Sequence, residues 1–227
     1  MQAADVMTQN VITVSPDSEV REIATLLLEH GISAVPVVNE SGKVLGIVSE
    51  GDLMRRVENG TLGRKSWWLR LFAGHDAADY VKSHGRRAHE IMTPDPLTIG
   101  ADMPLHKISR LLEKHRIKRV PVVREGKLVG IVSRSNLLRG FSVVATEAEV
   151  THDDREIREA ILKEIDSNTG VLVDRLNVIV ADGKVQLWGL VENQQEKMAV
   201  QVAAENTPGV KEIDNNLGFV PRGVGSL

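Results

Sequence analysis

The chain has 227 residues, 42% of them hydrophobic, which suffices for a buried core in one large domain or two ordinary ones. It contains no cysteine, and this removes a disulfide framework, a thiolate nucleophile and cysteine-based metal sites. The net charge of −3 is unevenly spread: residues 1–150 carry 20 Lys/Arg against 18 Asp/Glu, whereas residues 151–220 carry 7 against 13, so the second region repels phosphate backbones and argues against nucleic acid as a partner.

The opening MQAADVMTQN lacks the basic, apolar, cleavable pattern of a leader, and no apolar run approaches the ~18 residues needed to span a bilayer. A soluble, cytoplasmic protein is the expectation. Two stretches, 7–56 and 92–140, are copies of one unit. Met7 and Met92, and then Pro36 and Pro121, stand 85 positions apart, and one residue lost in a turn brings Gly46 and Gly130 to 84. In the first copy VITV reads as a short strand. Val20, Ile23, Ala24 and Leu27 then recur at helical spacing between Ser18 and His30, and Gly31 stops that helix. The β-branched run ISAVPVV, the turn NESGK, the strand VLGIVS and a helix from Glu50 to Val57 complete the unit. The second copy repeats the order, with Pro104 expected as a first helical residue and Leu105, Ile108, Leu111 and Leu112 on the buried stripe. A segment of roughly 50 residues struggles to bury enough surface alone, so the copies are expected to share a core, with any ligand in the crevice between them.

An insertion, 58–87, separates the copies. Within it RKSWWLRLF gathers Trp67, Trp68 and Phe72 beside Arg64, Lys65 and Arg70, a composition that suits first packing against the repeats or a second copy, and after that a partner groove or a membrane interface. Residues 143–150 form a polar exit, and a second small domain follows over 151–221. Thr151 and Asp154 suit a capping box before a helix carrying Ile157, Ile161 and Ile165. LNVIVADGKVQLWGLV alternates around Asp182-Gly183, a pair that favours a type I′ hairpin turn. Asn193 and Glu196 cap a helix through Val200 and Ala203, which Pro208 and Gly209 end before a last strand, VKEIDNNLGFV. The order is helix, hairpin, helix, strand, and two helices can cover one face of its single sheet.

The repeated VPVV, short turn and G-I-V-S-x-x-D/N-L resemble the cystathionine-beta-synthase (CBS) domain, and two in tandem resemble a CBS pair, or Bateman module. V-I-V-A-D-G-K-V-Q-L-W-G-L-V and G-V-K-E-I-D-N-N-L resemble a BON domain. The resemblance implies an α/β (α+β) fold: a CBS pair over 1–142, built of pseudo-twofold related β-α-β-β-α units, then a linker and an α-β-β-α-β BON-like domain. It also implies a homodimer, no required cofactor, and a regulatory ligand of the AMP, ADP, ATP or S-adenosylmethionine type. For the BON-like domain it implies envelope-related roles and lipid contact.

A carboxylate at a helix start can accept hydrogen bonds from both ribose hydroxyls while a neighbouring hydroxyl assists, and Ser49 with Asp52 supplies that pair. The same two residues read equally as a helix cap. Ser133 and Asn136 occupy the matching positions in the second copy, without the charge. In the family, a basic residue two positions before the proline of the second strand often reaches ligand phosphates. Arg119 stands there, flanked by Lys118 and followed by Arg134, whereas the first copy has Ala34. HRIKR also reads as a solvated basic stretch. The pseudo-twofold relation then implies two clefts. The first combines Ser18, Ile32, Ser33, Ala34 and Val35 with Lys118, Arg119, Ser133, Arg134 and Asn136. The second combines Ser49 and Asp52 with the backbone of Lys118, Arg119 and Val120. One has the phosphate grip and the other the ribose grip, so each chain is expected to bind at most one nucleotide well.

The seven histidines are scattered without a metal-ligand spacing, and no Walker loop, G-x-S-x-G elbow or G-x-G-x-x-G is present, so neither a metal site nor an enzyme is expected. The expectation is a non-catalytic sensor whose BON-like domain relays ligand binding. The alternative is a structural adaptor with degenerate clefts, whose BON-like domain or Trp-rich insertion docks a protein or membrane surface.

Overall fold

The computed structural model describes residues 1–54, 85–144 and 151–220; the insertion residues Trp67, Trp68 and Phe72 lie outside them. The chain divides into two compact units, Ile12–Leu97 with Glu125–Leu128, and Met1–Val11 with Thr98–Arg124 and Val129–Leu227. This division cuts across the sequence repeats, because the short helix leading into each repeat packs on the other copy. Those helices are α1 (Ala3–Val6), which belongs to the unit of the second copy, and a later counterpart in the unit of the first.

In the unit of the first copy, α2 (Val20–Glu29) turns Val20, Ile23 and Leu27 into the core, and Gly31 ends it in the left-handed region at φ +60°. β1 (Ala34–Val38) and β2 (Val44–Ser49) form an antiparallel hairpin that sets Ala34 opposite Ser49 and Val37 opposite Gly46, and α3 begins over residues 50–54. The strand expected at VITV reduces to a single bridge between Val14 and Val37, because the chain leaves the sheet at Pro16 into a turn closed by the Ser18 N–H on the Ser15 carbonyl. The leading helix of the second copy, α4 (Ala88–Ile91), and β3 (Thr93–Pro94) complete this unit, with β3 pairing on Gly46 and Ile47. Gly46 is required by that approach, since a Cβ there would lie 2.2 Å from the Met92 sulfur.

The other unit repeats the plan. β4 (Ile99–Gly100) runs parallel to β5 (Arg119–Arg124), with β6 (Lys127–Ser133) beyond it, and α5 (Leu105–Lys114) buries Leu105, Ile108 and Leu112. Pro104 is the N-cap of α5 rather than its first helical residue; its ψ of 143° is extended, and its carbonyl accepts the first intrahelical bonds. α6 (Arg134–Val144) follows. Met7 lies over Gly130 as Met92 lies over Gly46, with the Met7 sulfur 2.4 Å from where a Gly130 Cβ would stand.

The last domain has the expected helix, hairpin, helix, strand order. α7 (His152–Asn168) starts at a reciprocal cap in which Asp154 N–H donates to the Thr151 hydroxyl and Thr151 N–H donates to the Asp154 carboxylate. β7 (Leu176–Ala181) and β8 (Lys184–Val191) are joined by Asp182 and Gly183, both at positive φ as a type I′ turn requires. α8 (Gln194–Glu205) is capped by Asn193, and β9 (Glu212–Phe219) returns parallel to β8, giving the order β7-β8-β9. Ile161 and Ile165 of α7 and Val200 and Ala204 of α8 pack on Val178, Val180, Val185 and Leu187. All six residues of β7 are buried. Its other face supplies Ile179 and Ala181 to the core that holds Val6, Leu105, Val120 and Leu137, so this strand joins two hydrophobic cores and reads as a continuous apolar run.

Candidate functional site

Each copy hangs the start of its second helix on the residue that precedes its second strand: Glu50 N–H donates to the Ser33 carbonyl at 3.0 Å, and Arg134 N–H to the Lys118 carbonyl at 3.1 Å. In the first copy the Ser49 N–H and hydroxyl both donate to Asp52 Oδ2, at 2.9 and 2.7 Å. Asp52 is half-buried, and among the described residues its Oδ1 makes no hydrogen bond. The cap and an available carboxylate oxygen therefore coexist in one side chain. Ser33 and Ala34 adjoin this pair through the Ala34–Ser49 register, Val35 is fully buried, and the Ser18 hydroxyl accepts from the Ser15 N–H at 3.1 Å.

The second copy repeats the cap with an amide. Ser133 N–H and its hydroxyl donate to Asn136 Oδ1 at 2.9 and 2.6 Å. The Asn136 Nδ2 group turns away, donating to the Val6 carbonyl at 2.9 Å and more weakly to the Thr8 hydroxyl at 3.4 Å, and the residue is 3% exposed. A carboxylate in its place would carry no donor and would set a buried charge against a carbonyl oxygen. Lys118 and Arg134 are exposed, Arg119 is half-buried at the start of β5, and Val120 is fully buried. The fold thus gathers Lys118, Arg119, Ser133, Arg134 and Asn136 at the head of α6.

A polar cluster that the sequence reading did not single out lies beside these residues. Arg158 of α7, only 4% exposed, donates from Nε to the Val178 carbonyl at 2.6 Å, from Nη1 to that of Ala4 at 2.9 Å and from Nη2 to that of Met7 at 2.5 Å. Burial pushes its guanidinium down to about 10, which still leaves it charged at neutral pH. The Arg155 Nε lies 2.7 Å from buried Asp5, and Asn177 Nδ2 donates to the Val6 carbonyl at 2.8 Å. The signals were present: Arg158 falls on the apolar stripe of α7 one turn before Ile161, and Asn177 interrupts an otherwise apolar strand. A cavity of about 470 Å³ beside this cluster is lined by Gln2, Gln9, Asp102, Arg124, Arg155 and Glu159 among others, and none of the expected ligand residues lines it.

Asp154 is spent on structure. Burial pushes its carboxyl up, but hydrogen bonds from the Thr151 N–H, the Gly183 N–H, the Thr151 hydroxyl and the Asp182 N–H outweigh that and hold it below the ordinary carboxylate value. One side chain so ties the start of α7 to the hairpin turn.

Residues 3–59 and 88–143 match the CBS domain, and residues 153–221 match the BON domain. The chain is similar to the CBS domain-containing protein CBSX2, chloroplastic, of Arabidopsis thaliana, with 31% identity over 157 residues, 64% of this chain and 65% of that protein. The match therefore covers less than two thirds of the length of CBSX2. It is also similar to the CBS domain-containing protein YhcV of Bacillus subtilis, with 31% identity over 133 residues, 59% of this chain and 80% of that protein. Among solved structures, CBSX2 in complex with AMP superimposes with a TM-score of 0.55 at 29% identity, over 63% of this chain and 97% of that one.

Proposed function

The chain belongs to the CBS-domain family, as a tandem CBS pair followed by a BON domain, and from that premise we propose that it is a non-catalytic regulatory protein that binds an adenosine-containing ligand on its CBS pair and relays it through the BON domain. The Ser49–Asp52 pair carries this reading. Its cap consumes one carboxylate oxygen and leaves the other for the two ribose hydroxyls, at a helix start whose dipole favours the negative charge. The backbone of Lys118, Arg119 and Val120 completes this second cleft, and Ser33 and Ala34 belong to the first. In the first cleft Arg119, Lys118 and Arg134 attract phosphates beside Ser18, Ile32 and Val35. CBSX2, a relative over the same region, is known in complex with AMP.

Among the described residues no helix is long and apolar enough to cross a membrane, and the proposed setting is the cytoplasm. A homodimer is supported by the exposed apolar side chains of Leu28 on α2 and of Leu138 and Phe141, one turn apart on α6.

Thermal unfolding against AMP, ADP, ATP and S-adenosylmethionine tests the proposal. A ligand at ~100 times its dissociation constant stabilises the folded chain by about 2.7 kcal/mol. The expected result is a saturable shift that Asp52→Ala abolishes, while Arg119→Ala weakens phosphorylated ligands and spares adenosine. The absence of any shift would favour the second reading, a structural adaptor, which the inward-turned Asn136 amide supports.

A further inference from the structure

The opening segment of the chain is tied to the second repeat by backbone bonds, Ala3 N–H to the Met103 carbonyl, Ala4 N–H to that of Ala101 and Thr8 to Ile131 in both directions, and its Ala4, Val6 and Met7 carbonyls are taken by side chains that arrive from far along the sequence. The Val6 carbonyl accepts two amides, Asn136 Nδ2 at 2.9 Å from the second CBS repeat and Asn177 Nδ2 at 2.8 Å from the BON domain. Two donors fill both lone pairs of that oxygen. The neighbouring Ala4 and Met7 carbonyls are taken by Arg158, and Asp5 by Arg155. α6 adds a second link, with the Arg139 guanidinium 5.8 Å from the centre of the Trp188 ring on β8. Beneath these polar contacts Ile179 and Ala181 share one core with Val6 and Leu137.

We infer that Asn136, the counterpart of Asp52, is a pin rather than a ribose contact: it clamps α1 between the second CBS repeat and the BON domain, so that the three move as one body. Removing a donor from either side while α1 stays packed leaves a buried carbonyl short of a partner, which costs free energy. Asn136 lies in the first turn of α6, two residues after Arg134, so a displacement of that turn is carried through the Val6 carbonyl to β7. As a route for regulation this deepens the sensor reading and rests on it; as a mechanical junction it does not.

Hydrogen exchange on the full chain without nucleotide separates the two. N136D and N177D each replace a donor by a carboxylate. N136D is expected to raise exchange at least tenfold over residues 3–8 and 176–181 while α2, β1 and β2 keep wild-type rates and report that the chain is folded. Should N136D unfold the chain, N177D carries the test from the BON side and must accelerate residues 3–8 and the first turn of α6. The inference is overturned if N136D leaves 176–181 unchanged, if N177D leaves 3–8 and the α6 turn unchanged, if acceleration is equal everywhere, or if N136D gains a second saturable AMP site. Adding AMP to the wild-type chain tests the sensor reading separately: no change in any peptide counts against nucleotide binding and leaves the junction standing.

Discussion

The first repeat sets Ser49 on Asp52 and the second sets Ser133 on Asn136, with the same two donors and nearly the same distances, 2.9 and 2.7 Å against 2.9 and 2.6 Å. The caps are equivalent, and the difference lies in the atom left over. In Asn136 it is an N–H₂ group that holds the Val6 carbonyl at the end of α1, whereas in Asp52 it is an oxygen that makes no corresponding bond to Ile91 at the end of α4 among the described residues. α1 and α4 stand 85 positions apart and play the same part in their units, but α1 lies under the BON domain, with Asp5 paired to Arg155, while the carboxylate of Glu90 in α4 accepts from the Arg86 and Arg87 N–H groups of its own cap. A duplicated helix start therefore keeps its capping role in both copies while one copy leaves a carboxylate oxygen without a bond among the described residues and the other spends its second atom on α1.

The comparison breaks most readily at Arg158. Arg158→Met leaves three buried carbonyls without a donor and is expected to cost about 3–5 kcal/mol, read as a lower urea midpoint for the unit that carries the BON domain, with the first repeat unaffected. A loss spread evenly over both units would mean that the BON domain does not brace the second repeat selectively.

A smaller effect is expected at Asp154, where Asp154→Ala removes a helix cap and the acceptor for two turn amides, costing about 2 kcal/mol. Its folded carboxyl is held below the ordinary value of 3.8, so its contribution is complete above that pH and is lost as pH falls through the lower folded value. Stability measured from pH 6 down to pH 2 should fall more steeply in the wild type than in Asp154→Ala. Parallel acid limbs would remove Asp154 as the source.

The smallest change in stability is expected at Asp52, the residue proposed for ribose. Asp52→Asn keeps an acceptor for Ser49 and should cost less than about 1 kcal/mol, yet it should abolish the AMP-induced shift. A variant that is stable and still binds AMP would show that the carboxylate of the first repeat is a cap and nothing more.

Local order was legible because it leaves a periodic or a pairwise trace. The spacing of Ile157, Ile161 and Ile165, the Asp182-Gly183 turn and the Thr151 and Asn193 caps all act within a few residues, and each occurs in the structure. VITV and Pro104 misled for the same reason that the others succeeded: a β-branched run and a helix-opening proline describe local preference, and a turn at Pro16 and an extended ψ at Pro104 overrode it.

The amino-acid sequence by itself determined the two repeats and the small α-β-β-α-β domain, because these rest on repeat spacing, short motifs and side-chain chemistry. Only the tertiary structure decided that α1 packs on the second copy, that β9 lies parallel to β8, that both faces of β7 are covered, and that Asn136 turns inward to Val6. These depend on contacts between groups separated by as many as 171 positions, such as Asn177 and Val6. Such contacts imprint no periodicity, and a buried arginine or asparagine looks like any surface polar residue until the carbonyl it serves has been brought to it.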